Sequence, residues 1–81
     1  MIFSITRSFI KLELYDKVVT IDGEALLPEE KSSPSYLVFS KSIKKWDKPF
    51  DHLQIDDSTK AEILKSVKEE LEKKNIIIDI L

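Results

Sequence analysis

A single amphipathic stripe limits what this chain can fold into. Ile63, Leu64, Val67 and Leu71 recur at helical spacing, so one side of a helix is apolar and must be covered by another element. Asp56-Asp57-Ser58 just ahead of the stripe offers an N-cap and places carboxylates at the positive end of the helix dipole. Asn75 suits the left-handed residue that closes such a helix. Glu69 with Lys73 and Glu70 with Lys74 are spaced to pair along its exposed side, at ~0.3 kcal/mol each. The covering surface has to come from the rest of the chain, where the period changes.

Phe9–Tyr15 alternates, with Ile10, Leu12 and Leu14 on one side and Lys11, Glu13 and Tyr15 on the other, as in a half-buried strand. Asp16-Lys17 reads as a short turn, and Val18–Asp22 returns as its hairpin partner with Val19 and Ile21 inward. Gly23, the only glycine, is expected to supply a positive φ for a turn or bulge at the end of that strand. Pro28–Ser35 is rich in Pro, Ser and charge and reads as a loop, after which Tyr36–Ser40 is a further strand. Ser42–Ile55 is irregular, because Pro49 bars a regular helix through it. Ile76–Ile80 is β-branched and reads as a closing strand. Ile2–Ile5 is either an additional short strand or the start of a bent one.

The expected architecture is α+β. A small, mostly antiparallel sheet of β-β-β-α-β order, with the optional N-terminal strand, is covered on one face by one C-terminal helix. The other sheet face would carry Lys11, Glu13, Thr20 and Asp22 to solvent or to a partner. A chain of 81 residues makes one domain, 1–81, close to the lower size limit for a single core. It contains no Cys, so disulfides and thiolate metal sites are excluded, which fits a reducing cytoplasm. No apolar run reaches the roughly 20 residues of a membrane span, and the first residues lack the order of a secretory signal.

The inventory for chemistry is thin. His52 is the sole histidine, and a lone His among abundant Ser and Asp does not define a triad. Asp51, Asp56 and Asp57 lack the spacing of a calcium loop, and capping accounts for them better. One glycine cannot build a phosphate-cradling loop. No catalytic residue, cofactor or metal is expected. Lys41, Lys44, Lys45 and Lys48 surround Trp46, the only tryptophan, in a basic-aromatic pattern seen in single-strand binders. The net charge of −2 works against nucleic acid as a partner. Trp46 either anchors the connection between the two halves into the core or presents a surface to a partner. Phe9 and Tyr15 are exposed anchors if they share the outer sheet face; otherwise they fold over its edge.

Several short motifs together carry a resemblance. They are Thr6-Arg7-Ser8, Gly23-Glu24, Phe39 with Ser42-Ile43, Trp46-Asp47 followed by Pro49, Ile55, and the closing isoleucine strand. In this order they resemble a small immunity-protein family found beside bacterial polymorphic toxins, including contact-dependent growth-inhibition systems. Lys48 stands where the family pattern has the first of two prolines, and Pro28–Ser35 replaces a tighter connection. The resemblance implies a non-enzymatic cytoplasmic protein that binds the C-terminal toxin domain of a cognate effector, in such systems often a nuclease, and occludes it. A blocker of a nuclease groove presents carboxylates and aromatics where phosphates would sit. The candidates are Asp47, Asp51, Asp56 and Asp57 with Trp46, Phe50 and His52 on the connector, and Glu29 and Glu30 in the Pro/Ser loop. Two other readings stay open: a nucleic-acid-binding regulator using Lys41–Lys48, and an accessory subunit joined through Ile76–Ile80.

Overall fold

The computed structural model describes residues 1–27 and 33–81. Five strands form one sheet in the spatial order β1-β2-β3-β4-β5, with β1 spanning Ile2–Ile5, β2 Phe9–Leu14, β3 Lys17–Ala25, β4 Tyr36–Val38 and β5 Ile78–Ile80. The single α-helix among the described residues, α1, runs over Asp57–Glu72 between β4 and β5. The first four strands form an antiparallel meander, and β5 returns parallel to β4. The order is therefore β-β-β-β-α-β, with the N-terminal strand present as a full sheet member.

Periodicity explains most of this. In β2 and β3, Ile10 faces Ile21 and Leu12 faces Val19, so four fully buried side chains share one sheet face. Ile63, Val67 and Leu71 of α1 pack onto them and are fully buried too, each contributing on the order of 1.5–3 kcal/mol. The Asp56 carboxylate caps α1 by accepting from Thr59 N–H at 2.7 Å, which holds its carboxyl below the ordinary aspartate value. At the other end Asn75 adopts a φ of 61°, with Ile76 N–H bonded to Leu71 O and Asn75 N–H to Glu72 O, the two bonds of a Schellman motif.

Three local expectations are corrected. The hairpin turn is Tyr15-Asp16 rather than Asp16-Lys17, with φ of 55° and 59°. A two-residue loop with both central φ values positive matches the right-handed twist of the strands and sets the Leu14–Lys17 pairing. Gly23 has no positive φ and ends nothing; it lies inside β3. A Cβ there would stand 2.5 Å from Leu37 O and inside contact distance of the Tyr36 ring, so the residue is required for close approach of β4. Finally, α1 stops at Glu72, so Lys73 and Lys74 fall in the closing turn and the two expected Glu–Lys pairs do not form. The Glu70 carboxylate instead accepts from Ile2 N–H at 2.9 and 3.1 Å, tying α1 to the edge strand β1.

Ile76 and Ile78 pack against the core, while Ile80 stays partly exposed at the short β5. The Tyr36 ring is buried and its hydroxyl donates to Thr6 O at 2.9 Å. No helix among the described residues is long and apolar enough to cross a membrane.

Candidate functional site

The connector from Phe39 to Asp56 holds most of the sequence-predicted site residues, and it lies where the sheet leaves an edge open. β4 is short and covers β3 only from Gly23 to Ala25. Further back along β3 the connector takes over. Phe39 N–H donates to Asp22 O at 2.9 Å, Ser42 Oγ accepts from Asp22 N–H at 2.9 Å, and Asp47 N–H donates to Val18 O at 2.7 Å. Its far part doubles back on itself through the Lys45–Gln54 bridge and a bond from Ile55 N–H to Lys44 O.

Trp46 and Asp47 are consecutive and serve opposite sides of the sheet. The Trp46 indole belongs to the core beneath α1 and keeps only 6% of its surface exposed. That decides the alternative left open by the sequence: Trp46 anchors the connector, and little of its ring remains for a partner. Lys17 Nζ lies 5.8 Å from the Trp46 ring centroid and 5.4 Å from that of the half-buried Phe50. Asp47 meets the outer sheet face, where its Oδ2 accepts from Thr20 Oγ1 at 2.7 Å and from Lys11 Nζ at 3.0 Å. Lys11 also donates to Thr20 Oγ1 at 2.9 Å. Burial pushes the Asp47 carboxyl up, but the bonds from Thr20 and Lys11 and the Lys11 charge outweigh it and hold it below the usual 3.8.

The remaining candidates divide. Asp51 borders two shallow hollows together with Lys44 and Lys45, and the exposed His52 borders the second. Asp56 is committed to capping, and Asp57 is exposed in the first turn of α1. Glu29 and Glu30 lie outside the described residues. Lys41, Lys44, Lys45 and Lys48 are all exposed, yet the aromatic between them is buried, so this patch lacks the stacking platform that single-strand binding uses. Among the described residues no three His, Cys, Asp or Glu side chains converge as a metal set would. Tyr15 does not join Phe9 on the outer face. Its hydroxyl donates to Glu62 of α1, which holds the Tyr15 phenol above its ordinary value of 10.0.

The outer sheet face carries no helix among the described residues. Strand register places Phe9 beside Asp22, Lys11 beside Thr20, Glu13 beside Val18, and Glu24, Leu37 and Asp79 in one row across β3, β4 and β5. Glu13, Asp22, Glu24 and Asp79 are exposed, and Phe9, Val18 and Leu37 are half-buried between them. Lys11, Glu13, Thr20 and Asp22 are expected here from alternation. Glu24 and its row are not, because Gly23 reads as a strand end; the signal that finds them is the unbroken alternation from Val19 through Ala25.

A family model described as immunity protein 74 matches residues 2–81. The chain belongs to the immunity protein 74 family. Its partner is accordingly a protein, a toxin that it neutralises. Neither curated proteins nor solved structures gave a match. The matched span includes the strands, the connector and α1. For an immunity protein the relevant property of these residues is what they present to another surface, and the two uncovered regions differ in sign: the connector displays lysines, the sheet face carboxylates.

Proposed function

We propose that this immunity protein works by stoichiometric occlusion, binding the C-terminal toxin domain of a cognate effector in the cytoplasm of the cell that makes both. It covers a surface the toxin needs and transforms nothing itself. The observation that carries this reading is the family match over residues 2–81. The side chains support it: the polar cluster of Asp47 with Lys11 and Thr20 ties the connector to the sheet and is spent on that task. A nuclease is the toxin class we favour, because blocking one means displacing a polyanion from a cationic groove, and exposed carboxylates do that at low cost in specificity.

Co-expression with the toxin encoded beside this gene tests the proposal. Growth should be rescued, the two proteins should elute as a complex, and the toxin's activity on nucleic acid should fall to zero as the molar ratio reaches one. Absence of protection would overturn the reading. Protection complete at a small fraction of the toxin's concentration would overturn occlusion, since a covering protein cannot turn over.

A further inference from the structure

The two faces of the sheet have different fates. One is filled by α1, Trp46 and Ile43; the other carries no helix among the described residues and is met by the connector at Asp47, which reaches Lys11 and Thr20. That open face spans all five strands. Its outward positions combine half-buried Phe9, Val18 and Leu37 with exposed carboxylates, a mixture in which apolar anchors can be desolvated while charges orient the approach.

Its electrostatics are one-sided. Glu13, Asp22, Glu24 and Asp79 carry charge outward, and Lys11, an outward lysine of β2, is neutralised by its 3.0 Å contact with Asp47. Among the described residues, four exposed carboxylates beyond the Lys11–Asp47 pair make this face acidic, while exposed cations stand on the connector. Lys44, Lys45 and Lys48 display part of that opposite charge on the connector. Such segregation presents a cationic partner with one preferred side.

We infer that the toxin seats a cationic surface on the open sheet face, with Asp22, Glu24 and Asp79 steering it and Phe9 and Leu37 as apolar contacts. This rests on the toxin-neutralising reading above and adds to it the side that binds and the chemistry that is bound. The connector lysines lie outside the contact or at its rim.

The test is association kinetics with the toxin domain encoded beside the gene, measured over a range of salt for the wild-type chain and two variants. One variant is D22N/E24Q/D79N; the other, K44Q/K45Q/K48Q, removes the same number of charges from the connector. All six positions are exposed, and circular dichroism confirms that each variant is folded before binding is read. The sheet-face variant should associate about tenfold more slowly at low salt and show a flatter salt dependence, while the connector variant stays within about twofold of wild type. The inference is overturned if the sheet-face variant keeps the wild-type rate and salt slope, or if the connector variant takes the loss. It is also overturned if sedimentation shows the wild-type chain self-associating through a contact that D22N/E24Q/D79N abolishes, since the face would then hold a second copy. A wild-type chain that does not associate with the toxin at all takes down the underlying functional reading, a result distinct from the others.

Discussion

Replacing Gly23 with alanine sets two effects of opposite sign against each other. Gly23 has an ordinary backbone conformation with no positive φ, so alanine could adopt it without strain. On that ground alone the substitution should stabilise by about 0.4–1 kcal/mol, because alanine narrows the unfolded ensemble. The added Cβ, however, would lie 2.5 Å from the backbone oxygen of Leu37 and closer still to the Tyr36 ring. Leu37 sits in the middle of β4, paired with Glu24 on one side and Asp79 on the other, so its carbonyl cannot retreat without opening the ladder. The buried Tyr36 ring is held by its hydroxyl bond to Thr6 O and has little room to turn. Overpacking of this kind costs about 1–3 kcal/mol, which leaves Gly23→Ala net destabilised by about 1–2 kcal/mol. Urea unfolding followed by far-UV circular dichroism reads it. With a slope of about 1 kcal/mol/M for a chain of this size, the midpoint should fall by about 1–2 M. A midpoint equal to or above wild type would refute the close approach of β4 to β3, and with it the account of why the only glycine stands where it does.

Other outcomes follow from the same contacts. Trp46 is the only tryptophan and is buried, so native fluorescence should be blue-shifted and poorly quenched by acrylamide, with both properties lost on unfolding. Trp46→Ala should cost about 3–5 kcal/mol in urea unfolding, and a loss below about 1 kcal/mol would contradict its place in the core. The folded Asp47 carboxyl is held below its unfolded value of 3.8, so its contribution to stability is complete above that pH and is lost as the pH falls through the depressed folded value. Thermal melts from pH 7 to pH 2.5 should therefore show a smaller acid loss for Asp47→Asn than for wild type, and parallel curves would remove the Lys11–Asp47–Thr20 account.

How much of the fold was legible depended on whether one residue's neighbours in sequence were also its partners in space. The α1 stripe, its Asp56 cap and its Asn75 closure are local, and each stands where spacing placed it. The β2–β3 pairing was also readable, because alternating Ile10, Leu12, Val19 and Ile21 admit one register with all four inward. Gly23 misled because two physical uses of glycine, positive φ and close packing, leave the same letter in the sequence. Glu70 misled because its helical neighbour Lys74 was visible in the chain, whereas Ile2 N–H, its actual partner, is far away along it.

The candidate surface shows the same division. Trp46, Asp47, Phe50, Asp51 and His52 stand out by composition, and the structure brings them together on the connector, but it commits Trp46 to the core and Asp47 to the sheet. Glu24 and Asp79, distant from each other in sequence, become members of one row through the β3–β4–β5 register.

Side-chain periodicity, capping chemistry and the shortage of reactive groups were set by the order of residues alone, since each depends on neighbours within a turn or a strand. The extension of that outer face to Glu24, Leu37 and Asp79 was decided only when β4 came alongside β3 and β5 alongside β4. That assembly depends on long-range pairing and on one position lacking a side chain, and neither leaves a local trace.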